Sequence, residues 1–170
     1  MAEEAEPFVL FDVAGTTYAT PSASVRHIEM LEHITIVPNA HPAIEGVVFS
    51  RGQVIPALNL RARFGFAKAP HDIRTRIVFV QVHERVVGLI VDSAREFLSV
   101  PASAIRPIEE ALAGVAGNYL KGLTTIRDRL VLILNIEAVL NLELDPALAE
   151  SLQQAAKLGA AQAATTSAQS

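Results

Sequence analysis

Apolar residues occur in short runs along most of the chain, and turn-forming residues separate the runs. Phe8–Val13 is followed by Ala14-Gly15, and Ile77–Val82 is followed by the polar residues at 83–85. Short apolar or alternating runs bounded by glycine, proline or polar clusters are typical of β-strands. The pattern predicts roughly ten short strands, and strands at this spacing indicate small β-barrels.

The strands are expected to pair as hairpins wherever the intervening turn is short. Arg51-Gly52 separates two apolar runs, and Arg127-Asp128 separates another two near the C-terminus. Glycine in a two-residue turn favours a hairpin because it adopts positive φ without steric cost. After each of these hairpins stands an asparagine, Asn59 or Asn135, followed by helix-forming residues. Asparagine is a good N-cap, so short helices are predicted from these positions to Phe64 and to about Leu142.

The chain repeats itself once. GVVFSRGQVIPALNL at 46–60 matches GLTTIRDRLVLILNI at 122–136, which lies 76 residues later, without a gap. A weaker match relates 8–19 to 77–88 at an offset of 69 residues. Two copies, each near 70 residues, favour two related barrels and argue against a solenoid. The predicted division places the first barrel mainly at 15–74 and the second mainly at 75–142, with the N-terminal strand a candidate for exchange.

The C-terminal end differs from the rest of the chain. Residues 146–158 have good helix formers with apolar positions at helical spacing, which predicts an amphipathic helix able to dock on a barrel. Residues 159–170 are a low-complexity stretch with little to bury, and we expect it to be disordered. The predicted fold is therefore all-β, with two five-stranded SH3-like barrels, short helices and a C-terminal helix.

Composition narrows the function classes. The net charge of −4 argues against nucleic-acid binding, and an aromatic content of 5% leaves few platforms for stacking bases. The chain has no cysteine, which fits a reducing cytoplasm. The N-terminus MAEEAEPF does not resemble a signal peptide, and no apolar run is long enough for a membrane span.

Catalytic and metal-binding patterns give no support to an enzyme. The five histidines do not occur at H-x-x-x-H or H-E-x-x-H spacing, and neither a P-loop nor a nucleophile elbow is present. We therefore expect no cofactor and no metal. A nucleic-acid-binding barrel and an enzyme with a cleft between barrels remain the alternatives from other classes.

Protein contact is the remaining class, and a few residues are candidates for it. Arg51 projects from a predicted hairpin, where it is either a binding anchor or a solvated turn residue. Val86 and Val87 are adjacent in a predicted strand, so alternation turns one of them outward. Val25 and Ile28 suit either a helical face or an irregular strand edge, and core packing is the default interpretation for both.

The order of several motifs resembles the CheW-domain family, the adaptors of bacterial chemosensory arrays. The family pattern has a V-x-E-I segment, a G-V-x-N-x-R-G-x-V-x-P-x-x-D-L-R block, and then V-G-x-x-V-D, I-x-P, Y-x-x-G and N-x-x-x-x-L. The resemblance covers residues 8 to about 142. The matching segments here are Val25–Ile28, Gly46–Arg61, Val87–Asp92, Ile105–Pro107, Tyr119–Gly122 and Asn135–Leu140.

The resemblance implies a non-catalytic adaptor in the cytoplasm, recruited to receptor arrays at the inner membrane without inserting into it. Its implied partners are the cytoplasmic tip of a chemoreceptor and the regulatory domain of a CheA-type histidine kinase. By residue-for-residue correspondence, His27 and Ile28 would contact the kinase. The implied receptor contacts are Val25, Gly46, Arg51, Val86 and Val87.

Three departures from the family pattern stand out. The glutamate of V-x-E-I is His27 here, the asparagine before R-G is replaced in the Phe49-Ser50 region, and the aspartate of the D-L-R step is Asn59. These substitutions indicate a specialised chemosensory system (twitching, gliding or non-motility) with altered kinase binding as the alternative to an ordinary chemotaxis adaptor.

Overall fold

The structure is a computed structural model that describes residues 4–108 and 119–140. The predicted helix at 146–158 and the tail at 159–170 lie outside the described residues. Ten strands form the described part of the chain. They are β1 (Ala5–Val13), β2 (Thr16–Pro21), β3 (Val25–Met30), β4 (Ile44–Ser50), β5 (Gln53–Asn59), β6 (Arg76–Val82), β7 (Arg85–Val91), β8 (Ser93–Pro101), β9 (Leu120–Ile126) and β10 (Arg129–Leu134).

These strands form two five-stranded sheets, which confirms the all-β fold class. The terminal sheet has the order β8-β1-β2-β10-β9, and the central sheet has the order β3-β6-β7-β5-β4. The predicted division at 74 and 75 is wrong for these sheets. The central sheet takes its strands from 25–91, whereas the terminal sheet combines 5–21 with 93–134.

The two sheets are built alike, and the sequence repeat explains why. β1–β2 occupies the same place in the terminal sheet as β6–β7 in the central one, and β9–β10 corresponds to β4–β5. These are the segments that match in sequence. In each sheet the two hairpins meet through a parallel pair, β2 with β10 and β5 with β7. Parallel pairing of strands far apart in sequence is what local patterns leave undetermined.

Each sheet buries apolar residues on both faces. Along β1, Phe8 and Leu10 pack within the terminal sheet, whereas Val9 and Phe11 point the other way into a core shared by both sheets. Burial on both faces explains why several strands are continuously apolar instead of alternating. The shared core contains Val9, Phe11, Val13, Tyr18, Ala43, Ile44, Leu58, Leu60, Val78, Val80, Val87, Leu89, Val91, Leu134, Ile136, Val139 and Leu140.

Short helices follow the strands where the sequence predicts them. Helix α1 (Leu60–Arg63) begins after Asn59, whose side chain accepts a hydrogen bond from the Ala62 N–H at 3.1 Å. Helix α2 (Ile136–Val139) begins after Asn135, which accepts from Ala138 at 3.2 Å. Both predicted caps are therefore confirmed, because an asparagine oxygen satisfies an otherwise unpaired N–H of the first turn.

Candidate functional site

The predicted receptor contacts lie at different depths. Val25, at the start of β3, is partly buried and packs against the edge of the shared core. Val86 is partly buried against a second apolar cluster, on the other face of the central sheet, which includes Ile77 and Phe79. Val87 is 0% exposed within the shared core, so its side chain is not available to a partner in this structure. Strand alternation thus gives the outward position to Val86.

Gly46 is required by a close approach of the chain to itself. The residues before β4 cross it, and Thr35 and Val47 exchange backbone hydrogen bonds of 2.9 and 2.8 Å. A Cβ on Gly46 would overlap the Thr35 carbonyl oxygen. At the equivalent place in the terminal sheet, a Cβ on Gly122 would lie 2.8 Å from the Arg106 carbonyl oxygen. Glycine is therefore required at both repeat positions for the same reason, a close approach of another backbone segment.

Arg51 lies at the tip of the β4–β5 hairpin and is exposed. Its φ of 49° is followed by 79° at Gly52, as a hairpin turn with two positive φ angles requires. The equivalent Arg127 forms two hydrogen bonds with the Glu96 carboxylate, at 3.0 and 3.1 Å. Within residues 4–108 and 119–140, Arg51 has no such ion pair. Of the two equivalent hairpin arginines, Arg51 is therefore the one whose guanidinium is available to bind a partner.

The predicted kinase contacts, His27 and Ile28, point in opposite directions from β3. Ile28 is partly buried against the shared core. His27 turns to the other face, where its ring stacks on Phe79 with centroids 4.3 Å apart. Its Nε2 lies 3.1 Å from the Ser50 hydroxyl, which in turn donates to Glu29 at 2.8 Å. His27, Ser50 and Glu29 therefore form a hydrogen-bonded chain that links β3 to β4; we call it the edge cluster.

The hydrogen bonds of Ser50 determine which ring nitrogen of His27 carries a proton. Because the single Ser50 proton goes to Glu29, the Ser50 oxygen accepts from His27, which must carry its proton on Nε2. The Nδ1 atom is buried and has no hydrogen-bond partner among the described residues. Burial, and then the positive charge of Arg51, lower the pKa of His27, while Glu29 opposes the shift. The ring is therefore neutral at neutral pH.

A cleft opens beside the edge cluster, and sequence reasoning missed it. Its volume is about 370 Å³. Two apolar side chains at its rim are unusually exposed, Met30 at 54% and Phe49 at 75%. Large exposed apolar side chains grouped together mark interaction sites. The cleft is lined by Glu29, Met30, Leu31, Glu32, His33, Val48, Phe49, Ile77 and Phe79.

One available signal could have located this cleft. Phe49 lies between Val48 and Ser50, both of which are buried. Alternation along β4 therefore turns the Phe49 ring outward. A phenylalanine on the outer face of a strand, at the position where the family pattern has asparagine, is the sequence feature that indicates a contact surface.

The two sheets meet at Asp92, which lies where the chain crosses from the central to the terminal sheet. Its carboxylate accepts hydrogen bonds from the Arg61 guanidinium, the shortest at 2.6 Å, and from the Ala14 N–H at 2.9 Å. Burial raises the pKa of Asp92, but the bonds from Arg61 and Ala14 outweigh it and hold the pKa below its ordinary value. The carboxylate therefore joins the β1–β2 turn to helix α1 as an anion.

The departure at Asn59 has a local explanation. Besides capping α1, Asn59 donates through its amide nitrogen to the Glu45 carboxylate at 2.6 Å. An aspartate could cap the helix but could not donate this bond, and it would place a second negative charge beside Glu45. Asn59 and Glu45 are thus matched to each other inside the central sheet.

Within residues 4–108 and 119–140, histidine and carboxylate side chains form no group of three or more that could hold a metal ion. Across that same part of the chain, none of the helices has the length and hydrophobicity of a transmembrane span.

Comparison with known proteins agrees with the resemblance in the motifs. Residues 7–144 match the model of the CheW-like domain. A chemotaxis protein CheW from Klebsiella aerogenes is 30% identical over 138 residues, which cover 81% of this chain and 83% of that protein. The chemotaxis protein CheW from Bacillus subtilis is 31% identical, with 81% and 88% of the two chains covered.

A solved structure gives the same result at the level of the fold. The crystal structure of the scaffolding protein TtCheW from Thermoanaerobacter tengcongensis superposes with a TM-score of 0.74 at 25% identity. The match covers 81% of this chain and 93% of that one. With the family model matched across both sheets and their junction, the chain belongs to the CheW-like domain family.

Proposed function

We propose that this protein is a non-catalytic adaptor that couples chemoreceptors to a CheA-type histidine kinase in a bacterial chemosensory array. Family membership supports a chemotaxis adaptor or scaffold, because the relatives are chemotaxis proteins and the structural neighbour is a scaffolding protein. The observation that carries the proposal is the exposed surface where the two end strands of the central sheet, β3 and β4, approach each other; we call it the β3–β4 edge. It presents Met30 and Phe49 together with Arg51, which has no ion pair among the described residues; this combination of apolar and arginine side chains suits protein contact.

The receptor is proposed to bind in a groove between the two sheets, which is where the resemblance to the family would place it. Val25 borders the shared core, Val86 faces outward on β7, and Arg51 is the polar anchor at the hairpin tip. Gly46 lets the chain pass close beside this surface, and Val87 supports it from the core. A receptor helix would place apolar residues in the groove and a carboxylate on Arg51, as in helix-in-groove recognition.

The kinase is proposed to bind at the β3–β4 edge, where His27 lies and where Ile28 holds the strand on the core. Each interface would bury roughly 800 Å² per partner or less, so micromolar affinity is expected, and an array adds avidity. The protein would act in the cytoplasm and be recruited to receptor arrays at the inner membrane through these contacts.

A specialised pathway is the second candidate, and the edge cluster favours it. His27 is neutral and hydrogen-bonded where the family pattern has a glutamate, so a kinase adapted to that glutamate would meet different chemistry here. We therefore expect this protein to prefer a kinase from its own pathway over one from an ordinary chemotaxis system.

The test is binding of the full-length protein to two purified partners from the same organism. Calorimetric titration against the kinase regulatory domain, and separately against a receptor cytoplasmic fragment, should give micromolar affinity for each. Absence of binding to both would refute the adaptor function. Binding to only one would reduce the proposal to that partner.

A further inference from the structure

The cleft at the β3–β4 edge has both an apolar and an acidic part. Ile77 and Phe79 contribute apolar lining from β6, and Met30 and Phe49 stand exposed at the rim. Two acidic residues, Glu29 and Glu32, also line the cleft. A partner that fills it must therefore supply an apolar side chain and neutralise negative charge close by.

Glu29 is held in place more firmly than a surface carboxylate usually is. One oxygen accepts the Ser50 hydroxyl at 2.8 Å, and the same oxygen lies 3.7 Å from Nε2 of His27. Ser50 is itself 4% exposed and accepts a hydrogen bond from His27, so the edge cluster fixes the orientation of the carboxylate. A carboxylate that is already oriented loses less side-chain entropy when a cation binds.

The cations nearby leave Glu29 available. Arg51 and Arg26 lie close enough to His27 to lower its pKa, and His33 lines the cleft. Among the described residues, no lysine or arginine forms an ion pair with Glu29 or Glu32. The edge thus has a positive end at Arg51 and a negative end at Glu29 and Glu32.

We propose that this cleft receives an apolar side chain flanked by a lysine or arginine of the kinase regulatory domain, with Glu29 as the residue that binds the cation. This inference rests on the proposed adaptor function and adds the chemistry of the kinase contact. Glu29 lies two residues beyond His27, on the same face of β3, because side chains in a strand repeat with a period of two. The β3–β4 edge therefore still carries a negative charge, at a position two residues after that of the glutamate in the family pattern.

The decisive variant is Glu29→Gln, tested by titration with the kinase regulatory domain. It keeps the size of the side chain and removes its charge, so we expect the Kd to rise about tenfold, the loss of one charge-assisted hydrogen bond. The salt dependence of the Kd should also weaken. The matched control is Glu96→Gln, which removes a carboxylate already bound by Arg127 on the terminal sheet.

A second pair of variants tests the apolar part. Phe49→Ala removes the exposed ring and should weaken kinase binding about tenfold or more, as for an aromatic hot spot. Leu130→Ala is its control, because Leu130 is likewise a large exposed apolar residue but lies on β10 of the terminal sheet. Receptor-fragment binding should be unchanged in Glu29→Gln and Phe49→Ala, and thermal unfolding shows whether each variant is folded.

The outcomes separate this inference from the adaptor function. Wild-type protein that binds neither partner overturns both. Wild-type protein that binds the kinase domain, together with a Glu29→Gln variant of the same affinity, overturns only the inference. Equal losses in Glu29→Gln and Glu96→Gln, or equal losses of kinase and receptor binding, also overturn it, because the effect would then belong to overall charge.

Discussion

Single side chains at the β3–β4 edge combine structural and binding tasks. His27 stacks on Phe79, donates to Ser50 and has a buried Nδ1 without a hydrogen-bond partner among the described residues. A protonated ring would place an N–H at that position with no acceptor, close to the charge of Arg51. The geometry and the lowered pKa therefore give the same result, a neutral histidine that orients its neighbours.

This state predicts a pH dependence of stability. Because burial and Arg51 lower the pKa of His27, the folded protein binds a proton there less readily than the unfolded chain does. The stabilisation is complete above the ordinary histidine pKa of 6.5 and is lost as the pH falls below it. Urea unfolding between about pH 7.5 and about pH 5 should show wild type losing stability relative to His27→Gln.

The control for this measurement is His83→Gln, since the His83 side chain is 82% exposed on the β6–β7 turn. A wild-type loss of the same size relative to His83→Gln would show that the effect does not arise at the His27 ring. A His27→Gln variant whose stability runs parallel to wild type at every pH would contradict the assignment of a buried neutral ring.

Arg51 carries the corresponding prediction for receptor binding. Arg51→Ala should raise the Kd for a receptor fragment about fivefold to tenfold, as loss of an arginine anchor does, and should leave the circular dichroism spectrum unchanged. Arg127→Ala is the matched control, because it removes the equivalent arginine of the other hairpin. Equal affinity of wild type and Arg51→Ala would show that the tip of this hairpin is only solvated.

At the scale of elements, an additional backbone segment crosses each sheet and passes close to a glycine. Thr35 bridges to Val47 beside Gly46, and Arg106 bridges to Leu123 beside Gly122. The backbone register also shifts next to Gly46, between Ile44 and Gly46, which is a β-bulge or a related irregularity. The repeated glycine is thus part of how one extra backbone segment is added to each five-stranded sheet.

Substitution of Gly46 should therefore be more damaging than that of a turn glycine. In Gly46→Ala the methyl group overlaps a backbone oxygen, and we expect a loss of about 3 kcal/mol or more of unfolding free energy. In Gly52→Ala the methyl group meets nothing within 4 Å, and only the positive φ is unfavourable, at about 1 kcal/mol. Equal melting temperatures for the two variants would mean that the backbone at Thr35 can move away from residue 46 at little cost.

At the scale of the whole molecule, a few polar contacts, in addition to the shared core, hold the two sheets together. Asp92 joins Arg61 of helix α1, which follows the central sheet's β5, to the Ala14 N–H of the β1–β2 turn in the terminal sheet. Arg63 adds a second contact, donating to the Val139 carbonyl at 2.9 Å and lying over the Tyr119 ring. The proposed receptor contacts beside the shared core, such as Val25, depend on this junction because both sheets form that core.

Asp92→Asn should weaken the junction at neutral pH by about 1–2 kcal/mol, because the charge that pairs with Arg61 is lost. The lowered pKa of Asp92 means that its contribution is present above the ordinary carboxyl value of 3.8 and is lost as the pH falls through the lowered pKa. Denaturation at about pH 7 and about pH 3 should show the difference from wild type shrinking in acid. Asp72→Asn, an exposed carboxylate near Arg74, is the control with little expected effect.

Local features of this protein were predictable from sequence, and long-range ones were not. Arg51-Gly52 and Asn59 act through their own backbone conformation and nearest neighbours, so the turn and the cap follow from residue type. The pairing of β2 with β10 depends on contacts between distant segments, and similar apolar runs do not specify it. β3 and β4 are the first and last strands in the order of the central sheet, and the cleft and the edge cluster form where these two strands approach each other. The spacing of residues along the chain does not reveal this approach.

The way the strands are shared sets an order of events during synthesis. All five strands of the central sheet lie between residues 25 and 91, so that half can close as soon as its own segment has left the ribosome. The first hairpin, made earliest, must wait for β10, which ends at residue 134, before its parallel neighbour exists. The oldest part of the nascent polypeptide is therefore among the last to reach its final partners.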